Sequence, residues 1–181
     1  MKKVLSFIWE ITKIVVIALA IVIPIRYFLF QPFFVKGQSM EPSFGNGDYL
    51  IIDEISYRFR EPERGEVIVF KYPQNPSQRF IKRIIGLPGE TVEIQDGKVT
   101  IFKNGVPQVL DESEYLPSVL ETSGKILITL GEDEYFVLGD NRTFSFDSRR
   151  FGVLPEEEII GRAFLRAWPF VALDIFETPT Y

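Results

Sequence analysis

Two stretches of this chain carry side chains that could break a covalent bond. Val35-Lys36-Gly37-Gln38-Ser39-Met40-Glu41-Pro42 sets a serine in a tight, glycine-containing loop, with an apolar neighbour and a proline behind it. Phe80-Ile81-Lys82-Arg83-Ile84-Ile85 sets a lysine in an apolar strand. Serines in such loops are most often turn residues, and strand lysines are most often solvated. A lysine acts as a base only when neutral, so its reference pKa of ~10.4 must fall by several units, which apolar burial achieves. Strand alternation puts Phe80, Lys82 and Ile84 on one face and Ile81, Arg83 and Ile85 on the other. Lys82 therefore shares its face with two large apolar side chains. Arg83 stays charged under any conditions and cannot serve as a base.

Composition removes most other chemistries. The 181 residues contain no histidine and no cysteine. Ser-His-Asp triads, His-Glu-x-x-His metal sites, thiolate nucleophiles and disulfides are all excluded. What remains for a hydrolase is a pair of carboxylates, or a serine or threonine activated by an amine. With 46% hydrophobic and 14% aromatic residues, the chain has material for one cored domain and a short appendage. The first 36 residues carry +4 and the whole chain −5, leaving −9 on the remainder. An acidic body argues against a nucleic-acid partner, and the basic end suits a membrane surface.

The elements that must position Ser39 and Lys82 begin with an apolar run. Ile14 to Ile25 holds no charged residue, and apolar character resumes after Arg26 with Tyr27, Phe28, Leu29 and Phe30. A span over residues 12–30 has roughly the ~20 residues needed to cross ~30 Å of hydrocarbon. A buried core helix and a surface amphipathic helix are disfavoured, because no polar face interrupts the run. Ala18-Leu19-Ala20 resembles a cleavage site but lies inside the apolar segment. Lys2, Lys3 and Lys13 precede the span and place the N-terminus in the cytoplasm. Tyr27, Phe28, Phe30, Phe33 and Phe34 would form an aromatic belt at its exit. The expected organisation is a short cytoplasmic N-terminus over 1–11, an anchor over 12–30 and an extracytoplasmic catalytic domain over 31–181.

After Ser39 the pattern is β. Strands are expected at Tyr49–Ile52, Glu66–Phe70, Arg79–Ile85, Thr91–Gln95, Lys98–Phe102, Tyr135–Leu138 and Gly161–Trp168. Asp96-Gly97 and Asn104-Gly105 are hairpin turns that need positive φ. Residues 111–124 read as an exposed loop, 139–152 as a long polar loop, and Pro155-Glu156-Glu157-Glu158 as a short helical turn. The fold class is mainly β, a compact antiparallel sheet or barrel-like domain behind one transmembrane helix.

Four blocks in order now carry a resemblance. Ser39-Met40-x-Pro42, Phe70-Lys71-Tyr72-Pro73, Phe80 to Gly89, and Gly139-Asp140-Asn141-Arg142 with Ser145, Asp147, Ser148 and Arg149 resemble the bacterial type I signal peptidases. These are membrane-anchored serine proteases with a Ser-Lys dyad that remove signal peptides on the outer face of the cytoplasmic membrane. The resemblance runs from the anchor to Trp168. It implies Ser39 as nucleophile, Lys82 as general base, and Ser145 as the serine that orients the lysine. It further implies Asp147 as a buttressing carboxylate acting through Arg83 or Arg149, and Asp140, Asn141 and Arg142 as a loop scaffold. Val35, Met40, Phe44, Phe80 and Ile81 resemble positions lining shallow apolar pockets that admit small residues at positions −1 and −3. Phe70, Phe80, Val137, Leu138 and Phe146 resemble the apolar surroundings of the lysine. Some members carry a serine two residues before the nucleophile. Here that residue is Gly37, which leaves the oxyanion to backbone donors, Ser39's own N–H first.

The implied partners are secretory preproteins and membrane lipid, with no cofactor, no metal, no nucleic acid, and a monomeric state. The competing expectations are a non-catalytic anchored β-domain that binds peptides, and another Ser-Lys protease such as a conjugation-associated or organellar relative.

Overall fold

The computed structural model describes residues 2–28, 30–117, 120–179 and 181, with side chains described for all of these except 2, 3, 5, 23–28 and 30. The chain opens with helix α1, Lys2–Phe28, which begins well before the expected Thr12. Every described side chain of α1 is exposed, among them Phe7, Trp9, Ile14, Ile17 and Ile21. Among the described residues no helix is long and apolar enough to cross a membrane. The side chains that complete the expected 12–30 span, and those of Tyr27, Phe28 and Phe30 in the expected belt, lie outside the described ones.

From there the fold is antiparallel β. The strands are β1 (Phe30–Phe34), β2 (Tyr49–Asp53), β3 (Val67–Tyr72), β4 (Asn75–Gly86), β5 (Thr91–Gln95), β6 (Lys98–Lys103), β7 (Val106–Val109), β8 (Ile126–Thr129), β9 (Glu134–Leu138), β10 (Leu154–Pro155), β11 (Ile159–Trp168) and β12 (Asp174–Ile175). A four-residue helix α2, Ser148–Phe151, lies between β9 and β10. The larger sheet runs β1-β2-β11-β3-β4-β9-β10, with β12 paired to β11; the smaller runs β7-β6-β5-β8. Strands β7, β8, β10 and β12 were not expected, and two further differences stand out. Phe30–Phe34, read as an interfacial belt, pairs along its whole length with β2. Strand β4 starts at Asn75 rather than Arg79. The turn residues Asp96 and Gly97, with φ of 51° and 79°, close the β5–β6 hairpin as their types require.

Three buried apolar clusters are found among the described residues, and β4 feeds all of them. Ile81 joins Val35, Met40, Phe44, Leu50, Ile52 and Val69 beneath the Ser39 loop. Phe80 and Ile84 pack with Ile68, Phe70 and Val137 on the opposite face. Ile85 joins Phe136 and Leu138 against the smaller sheet. One strand thus knits the domain together, and Lys82 sits on the face of Phe80 and Ile84, as alternation requires.

Residues 111–117 and 120–124 are not a free loop. Leu116 and Thr122 are buried. Glu112 takes a forked pair of hydrogen bonds from the fully buried Arg142, at 2.8 and 2.6 Å. Thr122 Oγ1 accepts a further bond from the same guanidinium, and the Gly139 carbonyl accepts one at 3.1 Å. A buried guanidinium tolerates desolvation only with such partners, so the polar sequence here marks ionic anchoring. Glu112→Gln removes the countercharge while keeping the shape. Urea unfolding is expected to show a loss of about 3 kcal/mol; unchanged stability would mean that Arg142 does not depend on Glu112.

Candidate active site

Lys82 and Ser39 lie 43 residues apart in sequence and meet at 2.7 Å, Nζ to Oγ. Strand β4 fixes the lysine: it stands opposite Ile68 of β3 in register and is 4% exposed. Its amine also donates to the Ile81 carbonyl at 2.7 Å. Burial pushes the Lys82 pKa down to about 8, against the opposing pull of the Asp147 and Asp140 carboxylates. The Phe80 ring lies 5.8 Å from Nζ, near the ~6 Å limit of cation–π attraction, so exclusion of water dominates.

The surroundings of Lys82 follow from register. Phe70 faces Phe80 and Val137 faces Ile84, as expected. Leu138 faces Arg83 instead and belongs to the cluster against the smaller sheet. Ile68, directly across from Lys82, was not anticipated, because cross-strand register is invisible before the strands are paired. Phe146 joins an aromatic group with Tyr72, Phe80 and Phe151, its ring centroid 6.3 Å from that of Phe80.

Arg83 points the other way and meets a different environment. It donates to Asp140 through Nε and Nη2, at 2.9 and 2.7 Å, and to the Gly65 carbonyl at 2.7 Å. The Tyr115 ring covers its guanidinium at 3.9 Å. Asp147 is not its partner. That carboxylate takes two 2.8 Å bonds from Arg149 and one of 3.1 Å from the Gly139 N–H. Burial alone would raise the Asp147 pKa, but Arg149, the Gly139 N–H and Ser145 outweigh it and hold the carboxyl below its usual range. Of the two arginines offered by the sequence, Arg149 is the one beside Asp147.

Ser145 is buried next to this network. Its hydroxyl helps hold the Asp147 carboxyl down, yet its Oγ meets no partner at full hydrogen-bonding geometry among the described residues. The expected bond between Lys82 and Ser145 does not form; the amine uses Ser39 Oγ and the Ile81 carbonyl instead. Gly139 makes the close approach possible. A Cβ there would collide with Ser145 Oγ and with the Ser39 carbonyl.

An open cleft of about 650 Å³ runs past Ser39 and Lys82, lined among others by Phe33, Phe34, Gly37, Phe80, Ile81 and Phe144. Phe80 and Ile81 were expected there. Val35, Met40 and Phe44 are not among its lining residues; all three are buried in the core beneath the loop. Phe44 packs against Phe176 in a tilted pair with ring centroids 4.4 Å apart and lines a separate cavity behind the loop. Apolar character near such a serine reads alike in sequence whether it faces a cleft or the core. Gly37, with φ of 91°, donates its N–H to Asn46 Oδ1 at 2.9 Å, a support that sequence reasoning missed.

Comparison with known proteins places these residues in context. The family described as signal peptidase, peptidase S26, matches residues 8–168. A probable signal peptidase I-2 of Synechocystis sp. is 42% identical over 165 residues, covering 88% of this chain and 73% of that protein. Signal peptidase I of Leptolyngbya laminosa is 38% identical over 178 residues, covering 93% and 84%. Signal peptidase I of Bacillus amyloliquefaciens is 34% identical over 172 residues, covering 90% and 86%.

Burial is the largest influence on the Lys82 amine, so wetting its pocket must raise its pKa. Phe80→Ser should move the Lys82 titration, followed by NMR of the labelled Nζ, upward from about 8 toward the ordinary lysine value of 10.5. A titration that stays near about 8 in the folded variant would show that Phe80 does not exclude the water that matters.

Proposed function

The chain belongs to the signal peptidases of the peptidase S26 family and is a peptide-bond hydrolase that removes signal peptides; on that premise we propose that Ser39 is its nucleophile and Lys82 its general base. The observation that carries the assignment is the 2.7 Å approach of a buried amine to a half-buried hydroxyl at the floor of an open cleft. The reaction balances on one proton. Neutral Lys82 takes it from Ser39 Oγ as the oxygen attacks the scissile carbonyl. The resulting ammonium gives it to the leaving amine, and the acyl-enzyme remains. Lys82, neutral again, takes a proton from a water that attacks the acyl carbon and returns it to Ser39 Oγ as the ester bond breaks, releasing the signal peptide's new C-terminus. The oxyanion is received by backbone donors, with the Ser39 N–H foremost.

Asp147, Arg149 and Ser145 support the base rather than react, and Arg83 with Asp140 fixes the adjoining stretch of β4. The substrate adds as a strand. Strand β9 pairs with β4 only over Arg83–Gly86. Strand β3 fills the opposite edge of β4, but among the described residues no strand pairs with the β9-side edge at Ser77–Lys82, and this stretch lines the cleft. An extended peptide docking there presents alternate side chains to the cleft floor. The apolar walls leave room for small residues at −1 and −3.

Residues 12–30 act as a membrane anchor in this reading, with the catalytic domain on the extracytoplasmic side. The support is an apolar run without charge from Ile14 to Ile25, on a helix whose described side chains are all exposed. The exposed Phe34, Trp168, Phe170 and Val171 add an apolar surface suited to lipid.

Ser39→Ala and Lys82→Ala should each abolish cleavage of a preprotein in detergent, read by sequencing the new N-terminus. Lys82→Arg should fail as well, since guanidinium stays protonated; turnover in that variant would sink the dyad. The neutral form of Lys82 grows as pH rises through its depressed pKa, so the acid limb of kcat/KM should lie at about 8.

The anchor has its own test. The full chain should stay with membranes after alkaline carbonate washing, and a chain beginning at residue 30 should be released yet still cut peptides. Release of the full chain would overturn the anchor.

A further inference from the structure

Asn141 sits in the loop after β9 and reaches back to the nucleophile from both of its polar ends. Its Nδ2 donates to the Gln38 carbonyl at 3.0 Å, and its backbone N–H donates to the Ser39 carbonyl at 3.1 Å. The amide orientation is fixed by its other end, because Oδ1 accepts the Phe144 N–H at 3.2 Å. Turning the amide over would set oxygen against the Gln38 carbonyl and leave that N–H facing an amino group.

The consequence lies in the peptide between Gln38 and Ser39. Its carbonyl and its N–H point in opposite directions across a planar trans unit. Drawing the Gln38 carbonyl toward Asn141 therefore turns the Ser39 N–H away from Asn141. Among the described residues that N–H has no hydrogen-bond partner, and Gln38 and Ser39 both line the cleft. We infer that Asn141 is the positioning residue of the oxyanion donor: it clamps the Gln38–Ser39 peptide so that the Ser39 N–H is aimed into the cleft before substrate arrives. The inference rests on the Ser39–Lys82 reading given above.

Gly37 makes the clamp matter more. It has no hydroxyl to share the oxyanion, and its own N–H is already committed to Asn46. The oxyanion thus depends on how well one peptide plane is held. Donors that stabilise transition-state charge do so because they are oriented in advance.

Asn141→Asp keeps the side chain's size and its acceptor for the Phe144 N–H, but sets a carboxylate oxygen against the Gln38 carbonyl. Asn141→Ala removes the side-chain half of the clamp without adding charge, leaving the Gln38 carbonyl with the Glu41 N–H at 3.2 Å. Both variants, as full chains in detergent beside the unsubstituted protein, should lose about 100-fold in kcat with little change in KM. A substrate-like peptide aldehyde, whose hemiacetal with Ser39 needs the oxyanion donor, should weaken in parallel. The corresponding alcohol, which forms no such adduct, should bind unchanged. In Asn141→Ala, which adds no charge near Lys82, the acid limb of kcat/KM should stay where Lys82 puts it. Wild-type turnover in both variants overturns the inference. So does equal weakening of aldehyde and alcohol, which would mean general damage to the cleft, or a displaced acid limb in Asn141→Ala, which would route the effect through Lys82. Failure of the unsubstituted protein to cleave would instead overturn the protease reading and this inference with it.

Discussion

Everything at the site depends on keeping one ammonium group out of water. A buried lysine is unfavourable in its charged form, and that penalty is what makes it useful as a base. Strand β4 puts the penalty on Lys82 and removes it from Arg83, one residue on. The first side chain enters an apolar layer of Ile68, Phe80 and Ile84. The second turns to a carboxylate, a carbonyl and an aromatic face. Two neighbouring cations thus receive opposite treatment from the alternation of a single strand.

Carboxylates near Lys82 could have undone this. Asp147 and Asp140 both favour the ammonium form. Each is already engaged by a guanidinium, Arg149 and Arg83 respectively. Their charge is largely answered before it reaches the lysine, so desolvation remains the larger effect. The loop after β9 therefore has to be held firmly, and Arg142 ties it to Glu112 and Thr122 from behind. Rigid support around a reactive group is a general need of catalytic sites.

Local rules made much of this legible. Alternation put Lys82 with Phe80 and Ile84, and a two-residue turn marked the β5–β6 hairpin. The Ser39 and Lys82 blocks were visible as chemistry before any fold was known. What escaped was set by pairing over distance. Nothing in Phe30–Phe34 distinguishes an interfacial belt from an edge strand until β2 lies beside it. Leu138 could be assigned to Arg83 rather than Lys82 only through the β4–β9 register. The burial of Val35, Met40 and Phe44 reflects which side of the Ser39 loop meets the core. Composition carries no such sidedness.

Helix α1 ends at Phe28, and strand β1, which begins at Phe30, leads on toward Ser39. Its five strand residues span about 17 Å at ~3.4 Å each. The backbone stays paired beyond them, since the Val35 N–H donates to the Asp48 carbonyl at 2.9 Å. Such a lead behaves as a caliper rather than a tether. On the proposed anchor and dyad, Ser39 would hang at a set height above the lipid, and a preprotein would have to offer its scissile bond at that height. Selection would then act on the length of the substrate's apolar segment as well as on the residues at the cut. A signal peptide with suitable small residues but the wrong span would pass the cleft out of register.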